Sequence, residues 1–179
     1  CNLQIEGMGR RRSDVLISGR RTKLNVIRAD RADGIYLKHF TVEFSDFNNI
    51  YVLETNGFRM EDIKSRYSRE YGFLSFTSDH GLIKDCEAVG SGDAGLYPGA
   101  APQTGEQTVE KKRRYNQEIT RCDVHHNALG HSGSMGDAIH IHHNDFYDNA
   151  VGLSVDSISA GGHPGYPQDS LLVDHNRIY

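Results

Sequence analysis

The chain has no tryptophan, only four prolines and only three cysteines in 179 residues. Three cysteines do not define a redox compartment. Nowhere do the roughly 20 consecutive apolar residues of a membrane helix occur, and no membrane span is expected. A basic excess is missing too: 20 lysines and arginines face 24 carboxylates, for a net charge of -4. That balance argues against a general nucleic-acid binder, which presents a basic face. Glycosylation sequons, calcium loops and glycine-rich phosphate loops are also absent. The hydrophobic share of 37% is low for a compact globule and suits a narrow molecule with much surface per residue.

What the chain does have is a repeat. Six segments align: Leu37-Lys38-His39-Phe40, Met60-Glu61-Asp62-Ile63, Ile83-Lys84-Asp85-Cys86, Ile119-Thr120-Arg121-Cys122, Ile141-His142-His143-Asn144 and Val173-Asp174-His175-Asn176. Their first positions are 23, 23, 36, 22 and 32 residues apart, so two intervals carry insertions. A second column, headed by Asn49, Gly72, Gly95, Gly130 and Gly152, keeps the same phase. Short strands recurring at this period, with no helical pattern, predict a solenoid in which each coil buries its neighbour's open face. Glycine at the head of the second column predicts a corner with a sharp turn or a positive φ.

Strand alternation assigns the faces. Ile35, Leu37, Met60, Ile83, Ile119, Ile139, Ile141, Leu171 and Val173 are expected inside. Lys38, Glu61, Lys84, Glu118, Thr120, His140, His142 and Asp174 are expected outside. Cys86 should stack on Cys122, and Asn144 on Asn176 as a structural amide ladder. Coils about 4.8 Å apart leave two states open for the cysteines, a buried free-thiol pair or a disulfide. His131 falls in a column otherwise held by Ile50, Phe73, Leu96 and Leu153, which predicts a hydrogen-bonded interior histidine. The insertions, between Tyr97 and Glu118 and over about 155–170, leave from the same side of the coil, where they would wall a groove. The chain opens on the strand-like Cys1 to Ile5 and stops inside another, Val173 to Tyr179. Residues 1–179 therefore read as a single domain, a piece of a longer solenoid lacking caps.

This repeat resembles the right-handed parallel β-helix proteins of the pectin-lyase-like superfamily, closest to the generic β-helix repeat group with its carbohydrate-binding and sugar-hydrolase-like domains. The resemblance spans nearly the whole chain, including Ile5-Glu6-Gly7-Met8-Gly9 and Val15-Leu16-Ile17-Ser18-Gly19. It implies an all-β fold, a right-handed parallel β-helix of about seven coils with two loop insertions. It does not name a reaction. Tyr71-Gly72-Phe73 matches the opening of the alginate epimerase motif, but Leu74-Ser75 follows where the catalytic acid should be. The polygalacturonase signature is absent.

Ten histidines are the chemical outlier, six of them between His125 and His143. In Ile139-His140-Ile141-His142, the two imidazoles face outward about 6–7 Å apart along the strand. The 22-residue step puts Glu118 beside His140 and Thr120 beside His142, and the next coil brings Asp174 beside His142. An imidazole oriented by a carboxylate is a general base near neutral pH, and a second imidazole can be the acid. The same pair, His140 and His142, is a candidate metal site, with a divalent metal as the cofactor it would take. Surface histidines in a solvated sheet are the plainer alternative. For proton abstraction from a uronate, developing negative charge must also be stabilised. Lys84, Arg121, Arg113 and Arg114 are the candidate suppliers, and Tyr115 a candidate sugar-stacking ring.

The expectation is a secreted or cell-envelope carbohydrate-active protein that binds, and if an enzyme cleaves, an acidic polysaccharide as lyase or glycoside hydrolase. His140, His142, Glu118 and Asp174 would be catalytic. The alternatives are a non-catalytic glycan-binding or structural β-helix, and a periplasmic metal-binding one. The sequence leaves the oligomeric state open.

Overall fold

The structure, a computed structural model, describes residues 2–101, 116–133, 136–155 and 171–179. It is a parallel β-solenoid, in which every strand pairing is parallel. Among the described residues the only helical element is a short 3-10 turn, Arg12–Asp14, and no helix is long and apolar enough to cross a membrane.

Each turn has three strand columns. The first contains Asp79–Lys84, Gln117–Thr120, Ile139–His142 and Leu172–Asp174. The second contains Glu87–Val89, Asp123–His125, Asp145–Tyr147 and Arg177–Ile178. In the earlier coils, Ile35–Glu43 and Asn56–Arg66 run unbroken through both columns. The third column, a separate sheet, stacks Asn25–Asp30, Asn48–Leu53, Phe73–Phe76, Ala94–Gly99, Leu129–His131 and Val151–Leu153. Six stacked strands in that sheet make about five turns, not the seven expected from sequence. The excess came from the first segments: Gln4–Glu6 and Leu16–Ser18 both pair with the single strand Ile35–Glu43, so together they form one edge layer.

The core is a set of stacks along the axis. Leu37, Met60, Ile83, Ile119 and Ile141 lie in register in the first column, and all are buried. Ile50, Phe73 and Leu96 do the same in the third. Each such side chain contributes about 1.5–3 kcal/mol on burial, which is what holds a thin coil together. Val173 continues the first stack but is half-exposed in the last described coil. His131 also sits inside this core, 1% exposed, with Nδ1 3.2 Å from the carbonyl of Ser154.

Between the first and second columns the chain turns at one residue per coil: His39, Asp62, Asp85, Arg121, His143 and His175, all with φ between 50° and 59°. None is glycine. Left-handed backbone is uncommon for other residues, with Asp, Asn and His the tolerated ones, and five of these six are Asp or His. The corner accounts for part of the histidine surplus. His39, His80, His126, His143 and His175 all have positive φ.

The third-column glycines answer a different demand. Their φ values are not positive; what they allow is close approach. A Cβ on Gly72 would stand 2.7 Å from the carbonyl oxygen of Gly95, and one on Gly95 2.8 Å from Val124 Cγ1.

Polar ladders complete the corners. Asn144 Oδ1 accepts the Cys122 amide at 2.9 Å, and its Nδ2 donates to Asn176 Oδ1 at 2.9 Å and to the Ile119 carbonyl at 3.1 Å. Asn127 and Asn149 form a second amide ladder at the next corner. Cys86 and Cys122 are buried free thiols, which resolves the alternative left by the sequence.

Candidate functional site

The strand Ile139–His142 presents His140 and His142 outward between inward Ile139 and Ile141, each histidine side chain 17% exposed. The register is as the spacing predicts: Glu118 opposite His140, Thr120 opposite His142, and Asp174 opposite His142 on the other side. The hydrogen bonds, however, run diagonally. His142 Nε2 is 2.9 Å from Glu118 Oε1, and His140 Nε2 is 2.9 Å from Asp174 Oδ1. The two rings stack with centroids 4.0 Å apart, inclined by 24°. An imidazole is long enough to reach one position along the neighbouring strand, so each carboxylate serves the histidine it does not directly face.

A carboxylate only accepts, so Nε2 carries the proton in both histidines. That leaves His142 Nδ1 as the lone-pair nitrogen when the ring is neutral. It lies 2.8 Å from His143 Nδ1 and 3.4 Å from Thr120 Oγ1. His143 must then donate from Nδ1, which places its own lone pair on Nε2. The chain of groups Glu118, His142, His143 runs from the sheet surface to an exposed corner ring. His143 in turn stacks on His175 at 5.0 Å with rings 2° from parallel, and His175 Nδ1 lies 3.2 Å from Asp174 Oδ2. Asp174 thus receives two imidazoles, and the hydrogen bond from His140, followed by that from His175, holds its carboxyl below the usual range. His143 and His175 were not picked out as site residues from the sequence. The available signal was their corner column, spaced by the same 23, 23, 36, 22 and 32 residues as the strands.

A similar group stands one corner over. His125 Nε2 lies 3.3 Å from Glu87 Oε1, and His125 Nδ1 2.8 Å from His126 Nδ1. There, however, Glu87 is already held by Lys64 at 2.7 Å and Arg12 at 2.8 Å. Glu118 has no lysine or arginine ion pair among the described residues. The two sites share a pattern and differ in charge.

Two of the expected cation suppliers, Arg121 and Lys84, are placed elsewhere. Arg121 sits at the corner and grips Asp85 through Nε at 2.6 Å and Nη2 at 2.9 Å, which keeps the Asp85 carboxyl below its usual range. Lys84 is in register with Thr120, two coils from His142, about 10 Å along the axis. It lies 4.0 Å from Asp85. Arg113, Arg114 and Tyr115, together with both insertions, lie outside the described residues. Among the described residues no three His, Cys, Asp or Glu side chains converge as a metal site. His140 and His142 turn their Nε2 atoms toward different carboxylates in opposite directions along the axis.

The chain matches no family model, and no curated protein is significantly similar to it.

Proposed function

We propose that this β-solenoid is a secreted or cell-envelope carbohydrate-active protein of the pectin-lyase-like kind, binding and cleaving an acidic polysaccharide on the outer face of its first strand column. The observation that carries the reading is the pair of imidazole–carboxylate dyads stacked ring to ring at 4.0 Å. His142, oriented by Glu118, is the general base, and it takes the substrate proton through His143, whose Nε2 carries the outward lone pair and whose Nδ1–H passes to His142 Nδ1. His140, oriented by Asp174, is the acid. Two oriented imidazoles in contact offer proton removal and proton delivery within one sugar unit's reach, which is what both lyase and hydrolase chemistry require. Neutralisation of a uronate carboxylate falls to Lys84 or to Arg113 and Arg114, since Arg121 is occupied by Asp85.

A non-catalytic glycan-binding or structural role is the second reading. It is favoured by the pairing of outward charges from coil to coil elsewhere on the surface, as in Lys38 with Glu6 and Arg69 with Asp46.

The deciding experiment incubates the protein with a panel of uronate polysaccharides and follows ultraviolet absorbance of unsaturated ends and the release of reducing ends. Product that disappears in both His142→Ala and His140→Ala supports the catalytic reading, and the readout that responds distinguishes lyase from hydrolase. A folded wild-type protein that is silent across the panel transfers the assignment to binding or scaffolding.

A further inference from the structure

On the outer face of the third-column sheet, away from the histidines, alternation predicts polar residues, but the structure has rings. Tyr51, Leu74 and Tyr97 stand in register on three successive coils, with Phe76 beside them on the middle one. Tyr71 stacks on Tyr97 at 4.7 Å and Phe76 on Tyr97 at 6.1 Å. With Phe47 and Asn48 these side chains line a cleft of about 210 Å³. That is below the roughly 300–1,000 Å³ of a site for a drug-sized molecule, and fits a single ring.

One polar atom in the lining is unpartnered. Asn48 is fully buried and donates from Nδ2 to Asn25 Oδ1 at 2.9 Å, but its own Oδ1 has no hydrogen-bond partner. A buried acceptor left unpaired has given up its hydration for nothing in return, so it calls for a partner. Turning both amides over would reverse their bond and leave an Asn48 N–H unpaired instead. A hydroxyl can satisfy either arrangement, because it both donates and accepts. Phe47, next to Asn48 in the same lining, is 44% exposed.

Among the described residues, the charge around the cleft disfavours an anion. Arg28 lies over the Tyr51 ring at 5.4 Å, but both oxygens of Asp30 hold it at 2.9 Å. Asp93 lies against Tyr71, and burial holds its carboxyl above the usual range. Among the described residues the lining offers apolar faces, phenol edges and an orphaned amide and holds no cation, which describes a site for a ring with an apolar face and hydroxyl edges. We infer that this cleft is a binding subsite for a neutral sugar ring, stacked on the tyrosines and hydrogen-bonded to Asn48. The subsite is separate from the histidine face, and the inference does not depend on the catalytic reading.

The test titrates the full chain by calorimetry and by nuclear magnetic resonance with cellohexaose, mannohexaose, hexagalacturonate and decanoate. A neutral hexaose should bind and shift the Tyr51 and Tyr71 ring signals. Tyr51→Ala should weaken it by about tenfold or more, as expected for loss of an aromatic anchor. Lys38→Ala, in the first column and outside the cleft lining, should retain the affinity and provides the folded control. Asn48→Ala should weaken binding as well, and excess hexagalacturonate should not displace the neutral sugar. The inference is overturned if no neutral sugar binds, if decanoate alone occupies the cleft, or if hexaose binding is indifferent to Tyr51 and Asn48. An ordered water as the sole partner of Asn48, with no sugar effect, also overturns it.

Discussion

The rings of His140 and His142 lie in contact, yet their Nε2 atoms bond to carboxylates on opposite neighbouring coils, His142 to Glu118 and His140 to Asp174. The dyads therefore link three consecutive coils through side chains as well as through the backbone ladder. Anything that shifts one coil relative to the next misaligns both imidazoles together.

Glu87 should be the carboxylate whose loss is felt most in stability. Burial pushes its carboxyl up, but the hydrogen bond and charge of Lys64, with His125 and Arg12, outweigh that and leave it below the usual range. A folded-state value below the unfolded one contributes stability above the unfolded value, about pH 4, and that contribution is lost as pH falls through the folded value. Glu87→Gln is expected to cost about 1–3 kcal/mol at pH 7. The gap to wild type should shrink below about pH 4, where the wild-type carboxyl is itself protonated. Urea unfolding at pH 7 and at pH 3 measures both, and a gap independent of pH would refute the charge argument.

Asn144→Ala should destabilise beyond the loss of one side chain. The substitution strips the Cys122 amide of its acceptor and the Ile119 carbonyl of a donor, both inside the coil. An unpaired buried backbone group costs about 1–3 kcal/mol, so a loss in that range or above it is expected. Hydrogen exchange should localise the effect to the coils around Cys122 and Asn176, because solenoid coils contact only their neighbours.

The register of this site was legible because a solenoid turns sequence spacing directly into adjacency. Subtracting 22 was enough to put Glu118 opposite His140, and the stacking of Asn144 on Asn176 followed the same arithmetic. Spacing carries backbone position only. It says nothing of how far an imidazole leans along its strand, so the diagonal partners were not legible. The second column was merged with the first because Ile35–Glu43 and Asn56–Arg66 pass through both without a break. The third-column cleft escaped notice because alternation assigns Tyr51, Leu74 and Tyr97 to the outside, where apolar residues look incidental until the rings are seen to meet.

The two interior thiols should be inert in the native protein. Burial raises the Cys122 thiol well above its ordinary value, with the neighbouring Cys86 adding to the effect, so little of the reactive thiolate exists near neutral pH. A thiol reagent followed by peptide mapping should label Cys86 and Cys122 only after denaturant is added. Labelling of either in the folded state, or a melting temperature that falls with reductant, would contradict the buried free-thiol arrangement.

His143 offers a way to separate chemistry from scaffold. Its φ of 57° is tolerated by asparagine, so His143→Asn keeps the corner while removing the ring that meets His142 Nδ1 at 2.8 Å. If His142 acts as a base that receives its proton inward through His143, taken up at His143 Nε2 and handed on from Nδ1, the variant should fold with an unchanged melting temperature. Its turnover should fall by about tenfold or more, less than the roughly 10²–10⁴ expected on removing the base itself with His142→Ala. Its pH profile should also change shape, because proton transfer to His142 then lacks its relay. A role limited to corner geometry predicts neither effect, since asparagine meets that need. Unchanged turnover together with an unchanged pH profile would remove His143 from the mechanism and leave the base at His142 to exchange its proton by another route.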